Sequence, residues 1–428
     1  MEVLSRLLIG RESENPEKRN VIWNMIGSFL YAFASMVLTI AVVQIAGEDA
    51  GGIFTFAFTT FGQHMFMAAY FGIRPFQITD MGNRYSFGEY LGLRLLTCAG
   101  ALGVGLVYVF WNAYTLTKAA TVFLMVVYKV IDALADTYEA EFQRQGKLYL
   151  TGKSNAFRTL LSVTVFLTAL TATKALVFSC VSAVLAQVLG FLLFDAWLIR
   201  KLPGVDWSVR KGKKWALLRD NTLLFFSVIL DFYVFSASKY AIEACMQDKD
   251  MAVYGAIFMP TSVINLAAGF VIRPYLTRLS LGWERGELKK FTHTILGLAA
   301  VITGLALFAV VGAWFLGIPV LGRLYPKLRY ALLECRPALL FIILGGAFNA
   351  YMNLFYYSLI IMKKQRLIFA GYGFVAALAL LFANRFVKWG GIFGGALVYL
   401  ALMAALTAVF GSVTLMFVQK KRREADIL

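Results

Sequence analysis

Twelve stretches of this chain are apolar for about twenty residues or more, and such stretches satisfy their backbone polar groups in lipid only as helices. They fall at about 20–45, 51–73, 88–110, 118–139, 153–173, 175–199, 219–243, 251–275, 290–315, 331–361, 366–384 and 390–418. Hydrophobic residues make up 60% of the 428 and charged residues 15%, with a mean hydropathy of +0.71, far from the soluble average. Twelve spans of roughly 22 residues would leave about 13 for each connection, so no sizeable soluble domain fits. The apolar stretches are continuous and lack the ten-residue alternation of an outer-membrane barrel. The expected fold is an all-α polytopic membrane protein.

One short pattern occurs twice. Y-F-G-I-R-P-F-Q-I-T-D closes the second apolar run, and G-F-V-I-R-P-Y closes the eighth, so that Arg74 corresponds to Arg273 about 199 residues on. Each run also starts near an acidic turn, Gly47-Glu48-Asp49 in one case and Asp248-Lys249-Asp250 in the other. The chain therefore reads as two pseudo-symmetric six-helix bundles, a common construction in transporters. Expected boundaries are a short amphipathic, surface-lying N-terminus at 1–19, a first bundle at 20–199, a basic linker at 200–218, a second bundle at 219–418 and a basic tail at 419–428.

The net charge of +17 is explained by topology rather than by nucleic acid. With the N-terminus inside, 29 Lys and Arg fall in inner segments and 8 in outer loops, which places both termini in the cytoplasm. Basic clusters beside the spans also attract anionic membrane lipids. Arg94, Lys129, Lys239 and Arg336 remain within spans, where ionisable groups are costly and are candidates for function.

The fourth span carries Lys129, Asp132, Asp136 and Glu139 at steps of three, four and three, on one helix face. That face lines an aqueous cavity or extends the helix into the cytoplasm, with Lys129 and Asp132 as a local ion pair. The tenth span repeats the stripe without charge, as Asn349, Asn353 and Tyr356. Asp231 lies near the middle of the seventh span, either for ion coupling or as a hydrogen-bonded core acid. Arg94 lies two turns into the third span, lining a cavity or snorkelling to the interface. Arg74 and Arg273 each precede a proline, which disfavours helical geometry at the arginine, so each is expected at a helix end, as a path-lining group or a positive-inside anchor.

His64 and His293 have no Cys, His or carboxylate at metal-ligand spacing, and a hydrogen-bonded core histidine is the reading of His64. The four cysteines show no metal or redox spacing and read as packing residues. No P-loop, G-x-S-x-G or H-E-x-x-H pattern is present, so a nucleotide-driven pump or a hydrolase has no support, and no cofactor is expected.

The two six-helix halves, the basic inner loop and the R-P-F-Q-I-T-D followed by G-N-R-Y-S-F-G-E-Y resemble the Wzx-type lipid-linked oligosaccharide flippases. These belong to the multidrug/oligosaccharidyl-lipid/polysaccharide (MOP) exporter superfamily, which also holds the MATE transporters. The resemblance implies two bundles alternating between inward and outward openings in a bacterial cytoplasmic membrane, without enzymatic chemistry. Its implied partner is an undecaprenyl-pyrophosphate-linked glycan, with contact to polysaccharide-synthesis enzymes. It also implies a cationic cavity, for which charge and depth nominate Arg94 and Lys129 beside Asn349 and Asn353, with Arg74 and Arg273 at the cytoplasmic mouth. Asp132, Asp136 and Asp231 are the candidates for ion coupling.

Two alternatives stay open. A cation-coupled multidrug exporter of the same superfamily would favour acidic cavity residues and would expel cationic dyes. A membrane glycan polymerase or ligase usually displays a large outer loop, and the outer connections here are short.

Overall fold

A computed structural model describes residues 15–80, 84–210 and 212–427. The proposed amphipathic N-terminus lies outside the described residues up to position 14. Its last residues belong instead to the first helix, α1 (Pro16–Ala46), which starts earlier than its hydrophobicity alone suggests. Asn15 caps it by accepting from the Lys18 N–H at 3.1 Å, and Pro16 supplies a preset φ where no N–H is needed.

The first part of the chain continues through α2 (Glu48–Thr55), a π segment (Phe56–Phe61) and α3 (Gly62–Tyr70), then α4 (Ile73–Thr79), α5 (Phe87–Trp111) and α6 (Leu116–Arg144). It closes with α7 (Leu148–Thr173), α8 (Leu176–Phe191), a second π segment (Leu192–Ala196), α9 (Trp197–Ile199) and the start of α10 (Lys213–Cys245). Two compact units divide within α10, at residues 229 and 230. The second unit holds the rest of α10, then α11 (Asp248–Phe258), α12 (Pro260–Ile272), α13 (Leu276–Glu284), α14 (Leu288–Gly312), α15 (Ile318–Leu324), α16 (Arg329–Glu334), α17 (Arg336–Ile361) and α18 (Gln365–Ile427).

Nine helices among the described residues are long and apolar enough to cross a membrane. The remaining sequence-predicted spans are α2 and α3, continuous through a π segment, the strongly charged α6, and a second pass inside α18. That last division falls at Gly391, whose φ of 55° and ψ of −133° only glycine adopts freely.

In the first unit α1 and α7 approach backbone to backbone. A Cβ on Gly152 would lie 2.1 Å from the Trp23 carbonyl oxygen, and one on Gly27 would lie 2.5 Å from that of Gly152. Small residues at such crossings let membrane helices reach van der Waals contact that larger side chains prevent.

The segment after α9 is not a free linker. Gly88 at the start of α5 accommodates the Trp207 and Ser208 carbonyls, and Trp207 sets its ring edge-on to Phe87 at 4.8 Å. Ser86 and Glu89 form a capping box on α5, and Arg210 clamps it, with Nη2 donating to Glu89 Oε2 at 2.8 Å and Nε to Oε1 at 2.9 Å.

The two copies of the repeated pattern differ locally. In the first, Phe71 (φ 51°) and Gly72 (φ 65°) turn left-handed, ending α3 and letting Ile73, Arg74 and Pro75 open α4. In the second the residue corresponding to Gly72 is Val271, whose branched Cβ resists that conformation, so α12 runs on to Ile272. Arg273 itself stays helical at φ −55°, ψ −41°, and Pro274 is absorbed in one 3₁₀ turn, Arg273–Tyr275. The expectation that proline expels both arginines from helical geometry is thereby corrected. Pro75 sits in the first turn of α4, where its missing N–H breaks no bond, whereas Pro274 follows helical residues and its missing N–H is taken up by the change to 3₁₀ geometry.

Candidate functional site

The polar face of α6 is the centre of the first unit. Asp132, Asp136 and Glu139 are all buried there, which overturns the reading of this stretch as a solvated extension of the helix. Three arginines from three other helices fill the space against them.

Arg94, on α5, exposes none of its surface and has every nitrogen of its guanidinium engaged. Nη2 donates to Asp136 Oδ2 at 3.1 Å, Nε to Thr137 Oγ1 at 2.6 Å and Nη1 to the Ala69 carbonyl at 2.7 Å. It does not snorkel to the interface. Arg74 enters from α4, giving Nη1 to Asp136 Oδ1 at 2.5 Å and Nη2 to Gln143 Oε1 at 3.0 Å. Glu139 Oε2 lies 3.6 Å from the same Nη1. Gln77, one turn along α4, donates to the Thr137 carbonyl at 3.0 Å and to Glu141 Oε2 at 3.2 Å. The R-P-F-Q stretch therefore docks α4 on the acidic face of α6.

The third arginine, Arg158, reads from the sequence as a cytoplasmic-loop cation. It is buried on α7, where Nη1 donates to Asp195 Oδ2 at 2.6 Å and Nη2 to Glu139 Oε1 at 2.9 Å, while Nε faces Asp132 at 3.6 Å. Asp195 also accepts from Ser154 Oγ at 2.5 Å. Arg158 lies five residues into the fifth apolar run, near its cytoplasmic end, where the positive-inside tally absorbs it as one more inner basic residue. The usable signal is the i, i+4 spacing of Ser154 and Arg158, which presents both to one neighbour.

The expected direct pair of Lys129 with Asp132 is replaced by a relay. Lys129 Nζ donates to the Tyr31 hydroxyl at 3.0 Å, and that hydroxyl donates to Asp132 Oδ2 at 3.3 Å. Gln187 Nε2 donates to Asp132 Oδ1 at 2.5 Å, and the Lys129 ammonium lies 4.1 Å from the centre of the Phe58 ring. Four carboxylates (Asp132, Asp136, Glu139, Asp195) thus face four cations (Arg74, Arg94, Arg158, Lys129), so the cluster is formally neutral. Buried ions persist only when paired and hydrogen-bonded in this way.

The second unit is arranged differently. Asn349 Nδ2 donates to Asn265 Oδ1 at 2.6 Å, and Asn353 Nδ2 donates to the Asn349 carbonyl at 3.0 Å, so the amide stripe of α17 bonds to α12 and to itself. Asp231, half-buried on α10, is engaged by the Tyr372 hydroxyl. Arg273 is exposed and has no ion-pair partner among the described residues. Lys239 is buried against Phe258, with Nζ 4.0 Å from the ring centre, and likewise has no hydrogen-bond or ion-pair partner among the described residues. His64 hydrogen-bonds the Ile229 backbone within the first unit, as a core histidine. No metal-ligand cluster occurs among the described residues.

No protein-family model and no curated protein matches the sequence. Solved structures do match. An inward-facing multidrug resistance MATE family transporter of the MOP superfamily aligns with a TM-score of 0.74 at 11% identity, over 91% of this chain and 96% of its own. The chain has the MATE transporter fold. A MATE transporter in its bent conformation aligns at a TM-score of 0.62 and 13% identity, over 96% and 97% of the two chains. A MOP superfamily transporter from Pyrococcus furiosus, described as having a binding pocket of reversed polarity that suggests a different function, aligns at 0.57 and 13% over 99% of both. The twelve-helix, multi-pass membrane architecture is thus that of this fold.

Proposed function

We propose that this protein is a membrane transporter that flips an undecaprenyl-pyrophosphate-linked oligosaccharide from the cytoplasmic to the outer leaflet of a bacterial cytoplasmic membrane by alternating access. The observation that carries the choice of substrate is the distribution of paired and unpaired charge. Every carboxylate of the first-unit cluster is held by an arginine, whereas Arg273 and Lys239 in the second unit have no acidic partner among the described residues. Asp231 in the same unit is met by a hydroxyl rather than a cation, so these groups leave two positive charges against one negative. That supports an anionic pyrophosphate over a cationic drug, because a guanidinium recognises phosphate oxygens bidentately.

The same fold hosts multidrug exporters, so the alternative remains a cation-coupled exporter. The two differ in what moves. In vesicles containing lipid-linked glycan, an inside-negative potential should accelerate outward flipping without ATP. Each charge crossing the membrane is worth about 2.3 kcal/mol per 100 mV, and a pyrophosphate headgroup carries at least two. ATP dependence, or potential-independent flipping combined with efflux of cationic dyes, would overturn the proposal.

The orientation proposed with it has both termini in the cytoplasm. Cysteines at Asp49 and Asp248 should then react with an impermeant thiol reagent in intact cells, and one at Lys213 should not.

A further inference from the structure

The helical turn between α15 and α17 carries four basic residues, Arg323, Lys327, Arg329 and Arg336, against one acid, Glu334. The positive-inside reading places this connection outside, where basic residues are disfavoured, so the concentration of charge calls for a local cause. Three of the four cations share one cavity. Arg323, Arg329 and Arg336, all exposed, line an open cleft of about 350 Å³ together with the apolar Ile318, Pro319 and Leu333, of which Ile318 is buried.

The cavity is built by the fold of the turn. Tyr325, Leu328 and Leu332 of the same stretch are buried and pin the chain from α15 into α16. Gly322 packs against the stem of Arg329, whose Cγ would lie 3.4 Å from a Cβ there. Arg336 stands at the first turn of α17, where the helix dipole adds to its charge, with its guanidinium 5.9 Å from the centre of the Trp314 ring. None of the three arginines forms an ion pair with a carboxylate among the described residues. Three guanidinium groups lining one cleft repel one another, an anion among them relieves that repulsion, and the apolar side chains beside them suit an anion that carries a hydrocarbon chain.

We infer that this cavity binds a phosphate-type anion, as found in a lipid headgroup or in a free pyrophosphate. The site is distinct from the first-unit cluster. Its outer sidedness rests on the proposed topology, whereas binding itself does not depend on the flippase reading.

Binding to the full-length protein in detergent separates the sources. Probes are inorganic pyrophosphate, phosphatidylglycerol in mixed micelles, and phosphatidylcholine as the zwitterionic reference. The triple variant R323Q/R329Q/R336Q should weaken binding of the preferred anion at least ~100-fold, since each lost charge-assisted hydrogen bond is worth roughly tenfold. K327Q, which removes a cation of the same turn that does not line the cavity, should change it less than about twofold. R329K should fall between, because lysine keeps the charge without the fork. Pyrophosphate binding that depends on the arginines identifies a free-anion site, and binding of phosphatidylglycerol alone identifies a headgroup site. Binding by neither anion, binding unchanged in the triple variant, or a loss in K327Q as large as that in the triple variant overturns the inference. Because no transport is measured, the result stands whether or not the protein flips a glycan.

Discussion

Arg94 reaches Asp136 at 3.1 Å from a side chain with no solvent exposure, and Asp136 gives its other oxygen to Arg74. A single carboxylate of α6 therefore ties α5 and α4 to the same point. Removing one member of a buried pair leaves an uncompensated charge, which costs about 3–5 kcal/mol. Arg94→Ala should accordingly lower the thermal unfolding midpoint, and Asp136→Ala should lower it further, since it orphans two arginines. An Arg94→Ala protein that unfolds at the wild-type temperature would show that the pair contributes nothing.

Arg74 and Arg273 occupy equivalent places in the repeat but should respond differently to substitution. Arg74→Ala breaks contacts to Asp136 and Gln143 and should destabilise the first unit. Arg273→Ala removes an exposed guanidinium and should leave stability within about 0.5 kcal/mol of wild type while reducing flipping of the lipid-linked glycan. Equal loss of stability in the two variants would refute the contrast.

Lys239 is a buried cation packed against aromatic rings, Phe258 at 4.0 Å and Phe235 at 5.6 Å. Methionine of similar shape avoids the unmet hydrogen-bonding need of the ammonium, so Lys239→Met should stabilise the protein by roughly 1–3 kcal/mol. A lowered midpoint would mean that the ring contacts outweigh desolvation. Loss of flipping at unchanged or raised stability would assign the lysine to transport.

The crossing of α1 and α7 leaves no space for a side chain at Gly152. Gly152→Val must push the helices apart and should reduce folded yield sharply. Gly100→Val is the control, since a Cβ at Gly100 meets nothing within 4 Å. Similar yields for both variants would contradict the close approach.

Arg210 closes the capping box on α5 through Glu89, which is wholly buried while Arg210 is half exposed. Arg210→Gln should free residues 205–210 for proteolysis without unfolding the bundle, detectable as a single new cleavage site. Nearby, the Ser208 N–H holds the Asp206 carboxyl below the usual carboxylate range. A depressed acid stabilises above its unfolded-state pKa and loses that contribution as pH falls through the folded value. Protection of the segment should therefore persist from neutral pH down to about 4 and weaken only below it.

Hydropathy by itself determined the helical class and the number of passes, because a twenty-residue apolar stretch has few ways to satisfy its backbone in lipid. The spacing of Lys129, Asp132, Asp136 and Glu139 likewise determined that they share a face, since helix periodicity is local. What fills that face was decided by tertiary structure. Arg158 sits at the cytoplasmic end of an apolar run, where it reads as one more inner basic residue, and Tyr31 and Gln187 look like ordinary span residues, yet all three meet Asp132 from other helices. Charge pairing depends on a few ångströms between segments, and the order of residues along one helix does not encode that distance. The divergence of the two I-R-P copies, in contrast, was already written in one residue. Gly72 permits the left-handed turn that begins α4, and Val271 forbids it, so the same motif closes one helix and continues another.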